Sequence, residues 1–148
     1  MKELINKVTR TNAGYGISLV RVVVGITFML HGAQKLFGVL GGGGLEGTAK
    51  FMSSLGLEPS SLMALLAGSG EFFGGLLLIL GLLTRPAAIV TAIVSVVALL
   101  TVHLSKGYFI SAGGYEYILV LLVASIALVI EGSGKCGVDR LISKNQAE

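Results

Sequence analysis

Seven polar or charged side chains lie within or at the ends of long apolar runs, where such residues are rare. They are Arg21, His31, Gln34, Lys35, Glu71, His103 and Glu116. A charge at the centre of a bilayer costs about 2.5 to 3.5 kcal/mol on insertion scales, so such groups usually face a protein interior and pair with one another. Imidazole and carboxylate groups can also hydrogen-bond a ligand and transfer protons. The pattern therefore predicts an internal polar site.

Helical spacing orients these residues. Arg21, Phe28 and Lys35 share one stripe of a helix at about 100° per residue, with His31 one turn before Lys35. Glu71 is flanked at three and four residues on either side by glycine and alanine, which form the kind of face on which membrane helices approach closely. Glu71 is therefore expected to face a neighbouring helix. It has two candidate ion pairs, one with Arg21 and one with Lys35 or His31, and Arg21 is slightly favoured because no other acid is in reach.

The same residues also have architectural interpretations. A buried pair of Glu71 with Arg21 would fix helix register, and Lys35 at a helix end would extend to the headgroups. His103 at a helix terminus would act as a cap. His31 has the weakest packing rationale of the group, so it is the better candidate for function.

The composition indicates a membrane protein. Hydrophobic residues make up 53% of the 148 residues and charged residues 13%, whereas roughly a quarter of a soluble domain is charged. The mean hydropathy is +0.87. The chain, 1–148, is interpreted as a single membrane domain. Its net charge of +3 comes from scattered Lys and Arg residues, which argues against nucleic-acid binding.

Four apolar runs are long enough to cross about 30 Å of hydrocarbon. We predict transmembrane helices at about 15–36, 62–83, 86–104 and 115–130, the last within an apolar run from Ile110 to Ile130. The fold class predicted is all-α, a four-helix transmembrane bundle. The tight turn before Pro86 makes the second and third helices an antiparallel hairpin.

The segment from Gly38 to Ser61 connects the first two predicted membrane helices. It carries Leu45, Ala49, Met52 and Leu55 at helical spacing, which predicts a short amphipathic helix at the interface, in the first extracytoplasmic loop. That helix would be either a lid over a pocket or a cover for helix ends. The glycine run before it lacks the Lys-Ser/Thr of a phosphate loop, so nucleotide binding is not expected.

Basic residues are distributed unequally between the two sides. Both termini and the short turn carry seven, against three on the other side: Lys2, Lys7, Arg10, Arg85, Lys135, Arg140 and Lys144, against Lys35, Lys50 and Lys106. The positive-inside rule then makes both termini cytoplasmic. Gly25 and Gly32 at helical spacing are compatible with homo-oligomerisation.

The chain has one cysteine, Cys136, and two histidines. It therefore has no dithiol pair of its own, and no metal, haem or iron–sulfur ligand set is evident. Electrons for any redox reaction would come from a soluble or membrane partner.

Four segments resemble the DoxX family of small four-helix membrane proteins, at the family's order and spacing over about residues 14–142. They are LHGAQKLFG (Leu30 to Gly38), GEFFGGLLLILGLLTR (Gly70 to Arg85), TVHLSKGYF (Thr101 to Phe109) and GGYEY (Gly113 to Tyr117). The resemblance implies a prokaryotic plasma-membrane protein associated with quinone-linked oxidoreductases, including a thiosulfate:quinone oxidoreductase, or with thiol and oxidative stress. The family motifs fall here on His31, Lys35, Glu71, Arg85, His103 and Glu116.

The leading hypothesis is a membrane component of a quinone-linked redox or detoxification system that binds a quinone or small aromatic in the outer half of the bundle. The candidate catalytic residues are His31, Glu71, His103 and Glu116. The candidate ligand-binding residues are Arg21, Lys35, Phe72, Tyr115 and Tyr117. Whether the chain is itself an enzyme subunit stays open. The alternatives are a non-catalytic anchor or assembly partner for an oxidoreductase and, third, a small transporter.

Overall fold

All the regular secondary structure in the part of the chain that the structure describes is helical. The computed structural model describes residues 8–11 and 13–145, and these contain no strand. This confirms the predicted all-α class. The α-helices with described bounds are α1 (Tyr15–Phe37), α2 (Gly44–Ser54), α3 (Ser60–Leu80), α4 (Thr84–Ala98), α5 (Glu116–Glu131) and α6 (Val138–Asn145).

Within those residues, three helical segments are long and apolar enough to cross a membrane: Tyr15–Phe37, Ser60–Leu80 and Thr84–Lys106. The third combines α4 with a π-helical turn at Leu99–His103 and a 3₁₀ turn at Leu104–Lys106. The fourth predicted membrane helix corresponds to α5, which has 16 residues. At 1.5 Å per residue it extends for about 24 Å, less than a perpendicular crossing of the hydrocarbon core requires.

Glycines let α1 and α3 pack backbone to backbone in antiparallel directions. A Cβ on Gly32 would collide with the backbone of Phe72, and a Cβ on Gly75 would collide with the backbone of Met29. A Cβ on Gly25 would lie 2.8 Å from the carbonyl oxygen of Gly75. Such small residues allow close helix approach. Gly25 and Gly32 are therefore buried within one chain and give no support to homo-oligomerisation, which stays a prediction.

Charged side chains with buried partners lie at two ends of the helix assembly. We call one the cavity end: it comprises the C-terminus of α1, α2, the N-terminus of α3 and the residues that join α4 to α5. The other, the Arg21 end, comprises the α3–α4 turn, the C-terminus of α5 and residues 132–139. The apolar core lies between the two ends and includes Val24, Phe28, Leu78, Ala88, Leu121 and Leu128.

The α3–α4 turn lies earlier in the chain than the apolar runs suggest. Gly81 is in the left-handed conformation, with φ 66°, and ends α3 there, as glycine commonly does at helix C-termini. Helix α4 then begins at Thr84. Pro86 falls in its first turn, where a missing backbone donor is tolerated.

Candidate functional site

A buried ion pair between α1 and α3 is the clearest polar site. Lys35 Nζ donates a hydrogen bond of 2.6 Å to Glu71 Oε2. The Glu71 side chain is 8% exposed and that of Lys35 is 29% exposed. The preferred pairing of Glu71 with Arg21 is therefore wrong, and the alternative with Lys35 is confirmed.

The physical reason is the register of α1 against α3. Arg21 and Lys35 are 14 positions apart in the chain, which corresponds to about 21 Å along a helix axis. The close contact of Gly32 with Phe72 keeps the C-terminal part of α1 level with Glu71. Arg21 is consequently level with the far end of α3.

A cavity of about 530 Å³ adjoins the ion pair. The polar side chains in its lining are Lys35, Glu71, Thr101 and His103, and the rest of the lining is apolar. The apolar walls include Phe51 and Met52 from α2, Leu66 and Ala67 from α3, and Val97 and Ala98 from α4. A mostly apolar cavity with a few convergent polar groups is the usual form of a small-molecule site.

His103 and Thr101 reach the cavity from the π-helical turn. His103 Nδ1 lies 2.8 Å from the carbonyl oxygen of Gly113, and because a carbonyl oxygen accepts, Nδ1 carries the hydrogen. The other ring nitrogen, Nε2, then accepts from a ligand while the ring is neutral. Thr101 Oγ1 donates to the carbonyl of Val97 at 2.7 Å. π-Helical turns are frequent at functional sites.

Helix α2 closes the cavity end and also lines the cavity. Thr48 Oγ1 donates to the carbonyl of Gly44 at 2.7 Å and lies 3.2 Å from that of Lys35, so α2 packs against the end of α1 there. Glu58, in the α2–α3 connection, accepts hydrogen bonds of 2.7 Å from Ser53 Oγ and from the backbone N–H of Ser60. These bonds, chiefly the one from Ser53, hold the pKa of Glu58 below its ordinary value. Because α2 both packs on the end of α1 and lines the cavity with Phe51 and Met52, the lid and cover interpretations of this helix are compatible.

Two predicted site residues of α1 and α3 lie outside the cavity lining. His31 is exposed on α1. Phe72 packs edge to face against Phe37 and Phe73, with ring centroids 5.3 Å apart in both pairs. The structure thus brings Lys35, Glu71 and His103 together at the cavity without His31 or Phe72.

Three predicted site residues lie at the start of α5, and two of them, Tyr115 and Glu116, contact the preceding loop. Glu116 Oε1 accepts a hydrogen bond of 2.9 Å from the backbone N–H of Ile110. The Tyr115 ring packs edge to face on Tyr108, with centroids 5.4 Å apart, and Tyr117 is 41% exposed. The cavity lining includes none of the three predicted residues.

Arg21 lies at the opposite end of the assembly, 1% exposed. Its guanidinium donates to main-chain carbonyls of Ser133 at 3.0 Å, Ile79 at 2.8 Å and Cys136 at 3.3 Å, and to that of Leu78. Two of these carbonyls belong to the last turn of α3, where such groups lack helical partners and carry the negative end of the helix dipole. Arg21 therefore fastens the end of α3 to the segment that follows α5.

Asp139 is a buried acid that sequence reasoning did not identify. It is 1% exposed and accepts hydrogen bonds from the backbone N–H groups of Leu83 at 2.8 Å and Thr84 at 2.9 Å. It thereby caps the N-terminus of α4, where N–H groups lack helical partners. The capping residue is distant in sequence from the helix that it caps, so local helix-start signals could not reveal it.

Three apolar helical segments of membrane-crossing length and an ion pair buried between two of them define an integral membrane protein. The chain belongs to the DoxX family, whose model matches residues 16–104. This match includes the ion pair and the π-helical turn, and it ends before α5.

Similar proteins extend the relationship over most of the chain. A putative oxidoreductase, CatD, from Bacillus subtilis is 34% identical over 131 residues, covering 88% of this chain and 90% of that protein. The inner membrane protein YqjF of Escherichia coli is 27% identical, with coverages of 87% and 93%. The uncharacterized membrane protein Rv3486 of Mycobacterium tuberculosis is 31% identical, with coverages of 84% and 80%. No solved structure shows a significant match.

Proposed function

We propose that the protein is a membrane component of a quinone-linked oxidoreductase or redox-detoxification system, and that its cavity binds a quinone or another small aromatic molecule. The observation that carries the proposal is the apolar cavity of about 530 Å³ with Lys35, Glu71 and His103 in its lining. The name of the Bacillus subtilis relative, a putative oxidoreductase, is consistent with a redox role.

The lining residues suit a quinone ring. The ammonium of Lys35 is a donor for a ring oxygen, and Glu71 holds that ammonium in place through the 2.6 Å hydrogen bond. His103, whose Nδ1 donates to the Gly113 carbonyl, presents Nε2 as an acceptor for a hydroxyl of the reduced, quinol form of the ligand. Phe51 supplies an aromatic face in the apolar wall. A bound quinone would supply two-electron, two-proton redox chemistry, with electrons from an oxidoreductase partner.

The proposed topology adds α5 as a fourth crossing and places α2 at the interface. Helix α5 starts at the cavity end, and its last carbonyl, that of Glu131, accepts a hydrogen bond of 2.8 Å from Thr11 Oγ1, which precedes α1. It therefore returns the chain to the Arg21 end. The charge count makes the Arg21 end cytoplasmic, although Lys2, Lys7 and the side chain of Lys144 lie outside the described residues. The membrane would be a prokaryotic plasma membrane, as the name of the Escherichia coli relative indicates for that protein.

A binding titration tests the proposal. We would titrate a dimethoxy-methyl-benzoquinone into the protein in lipid nanodiscs and follow the heat of binding. Ala98→Phe puts a phenyl ring into the cavity wall, whereas Val123→Phe puts the same ring on the exposed face of α5, at a residue that is 58% exposed. We expect wild type and Val123→Phe to bind alike. Ala98→Phe should bind about tenfold more weakly, as expected for roughly 1.4 kcal/mol of lost contact.

The outcomes separate the proposed functions. Equal affinity in all three folded proteins would show that the cavity is not the binding site. If none of them binds the quinone and the wild type is recovered with an oxidoreductase from native membranes, the non-catalytic anchor is the better account.

A further inference from the structure

We infer that the ligand enters the cavity sideways from the bilayer, between α3 and α4, and carries a long apolar tail that lies in a groove between α4 and α5. This inference rests on the proposed function, because it assigns an entry route and a second subsite to the same ligand. It narrows the ligand class from any small aromatic to an amphiphile that is dissolved in the membrane.

Residues that both line the cavity and lie exposed on the helix surface define its mouth. Leu66 on α3 is 57% exposed, Ile93 and Val97 on α4 are 57% and 43% exposed, and Val90 on α4 and Phe51 on α2 are 39% and 47% exposed. All five are apolar, and four of them belong to α3 and α4. The mouth therefore opens on the apolar lateral surface of the helices.

The position of the mouth along the helices places it within the hydrocarbon. Ile93 lies near the middle of the membrane-crossing segment Thr84–Lys106, and Leu66 lies within the segment Ser60–Leu80. Towards the cavity end, α2 lies over the space, with Met52 9% exposed beneath it and Phe51, 47% exposed, at the rim. A molecule in the bilayer thus meets an apolar opening, whereas one arriving from the water at that end meets α2.

A second cavity, a groove of about 320 Å³, lies beside the mouth. Ile93 and Val97 line both spaces, so the two adjoin along α4. The groove is completed by aliphatic side chains of α4 and α5, including Val96, Leu122 and Ile126, and its lining contains no polar residue.

The different linings of the two adjoining spaces indicate the chemistry of the ligand. The polar groups Lys35, Glu71 and His103 lie in the first space, and the second offers van der Waals contact alone. Lipid chains are as apolar as this groove, so a tail would gain packing there rather than hydrophobic free energy. A ligand with a polar ring and one long saturated or isoprenoid chain would place its ring in the first space and its chain in the second.

The chain contains no tryptophan, so a single introduced tryptophan reports on one place. Leu122→Trp reports on the groove, and the adjacent Val123→Trp, at nearly the same depth but on the exposed face, is its control. Phe51→Trp reports on the ring cavity. The probe is a dimethoxy-methyl-benzoquinone with a decyl tail ending in bromine, a quencher, compared in phosphatidylcholine nanodiscs with the same compound lacking bromine.

We expect the bromine to add quenching that saturates with ligand concentration at Leu122→Trp. At Val123→Trp, the bromine should add only the gradual quenching caused by probe dissolved in the bilayer. An excess of the unbrominated compound should abolish the difference between the two positions.

Two results would overturn the inference, and they are distinguishable. Saturable ring quenching at Phe51→Trp with equal bromine quenching at Leu122→Trp and Val123→Trp would mean that the ring binds and the tail lies elsewhere, which leaves the proposed function intact. Absence of saturable quenching at Phe51→Trp, in a protein that folds as wild type, would overturn the proposed function and this inference together.

Discussion

We predict that removing Lys35 and removing Glu71 lower the stability of the protein by unequal amounts. Removing one member of a buried ion pair leaves the other charge uncompensated and costs about 3 to 5 kcal/mol. Lys35→Met leaves a carboxylate whose side chain is only 8% exposed, so we expect a loss of about 3 kcal/mol or more. Glu71→Gln keeps an acceptor oxygen and leaves an ammonium that is 29% exposed, so we expect a loss of about 1 kcal/mol.

The double variant Lys35→Met/Glu71→Gln contains neither charge. Its loss should be about 1 kcal/mol, far from the sum of the single losses, because the uncompensated carboxylate is gone. The free energy of unfolding would be measured by titrating a denaturing detergent into mild micelles and following helical circular dichroism. Lys50→Met is the control, since its i,i+4 pair with Glu46 is largely exposed and such pairs contribute little. An additive double variant, or a Glu71→Gln loss equal to that of Lys35→Met, would refute the reasoning.

Two further predictions use the same unfolding assay. Gly32→Ala places a methyl group against the backbone of Phe72 and should destabilise the protein by about 1 to 3 kcal/mol, whereas Gly16→Ala, in open space on the same helix, should stabilise it by up to about 1 kcal/mol. A tolerated Gly32→Ala would contradict the close α1–α3 contact. Asp139→Ala leaves two backbone N–H groups at the start of α4 without their acceptor and should cost about 1 to 3 kcal/mol. Glu46→Ala, at an exposed residue, should change little, and equal effects of the two acid substitutions would contradict the capping role.

The helical class and the family could be predicted because both depend on local signals. Apolar runs of about 20 residues predict membrane helices without any knowledge of their neighbours. The bounds of α3 and α4 were less accurate, since the end of α3 depends on the left-handed conformation of Gly81. The apolar run continues through Leu83, so hydropathy alone carries no signal for that turn.

The sequence predicted which residues of the site are buried, but it did not predict their pairing, because the pairing depends on helix register. The cost of burying a charge identified Lys35 and Glu71, and the glycines around Glu71 correctly indicated a neighbouring helix. Which cation faces Glu71 depends on the register of α1 against α3. That register is set by the backbone contacts of Gly32 and Gly75, and the depth of each residue in the membrane does not determine it. The same burial argument selected Arg21, whose partners are main-chain carbonyls that no side-chain pattern reveals.

The sequence analysis did not identify most of the residues with which α2 and α4 line the cavity. Phe51 and Ala98 line the cavity, but apolar residues on helices carry no mark that separates a cavity wall from a lipid-facing surface. The π-helical turn that presents His103 is likewise a local departure from α-helical geometry that hydrophobic periodicity does not encode.

The central claim is that this cavity holds a quinone, and the most direct measurement is the quinone content of the purified protein. Wild type, Ala98→Phe and Val123→Phe would be purified in mild detergent from the same membranes and extracted with organic solvent, and quinone would be quantified per chain by absorbance and mass spectrometry. The account predicts stoichiometric quinone in wild type and Val123→Phe and clearly less quinone per chain in Ala98→Phe. Equal trace amounts in all three folded proteins would contradict it.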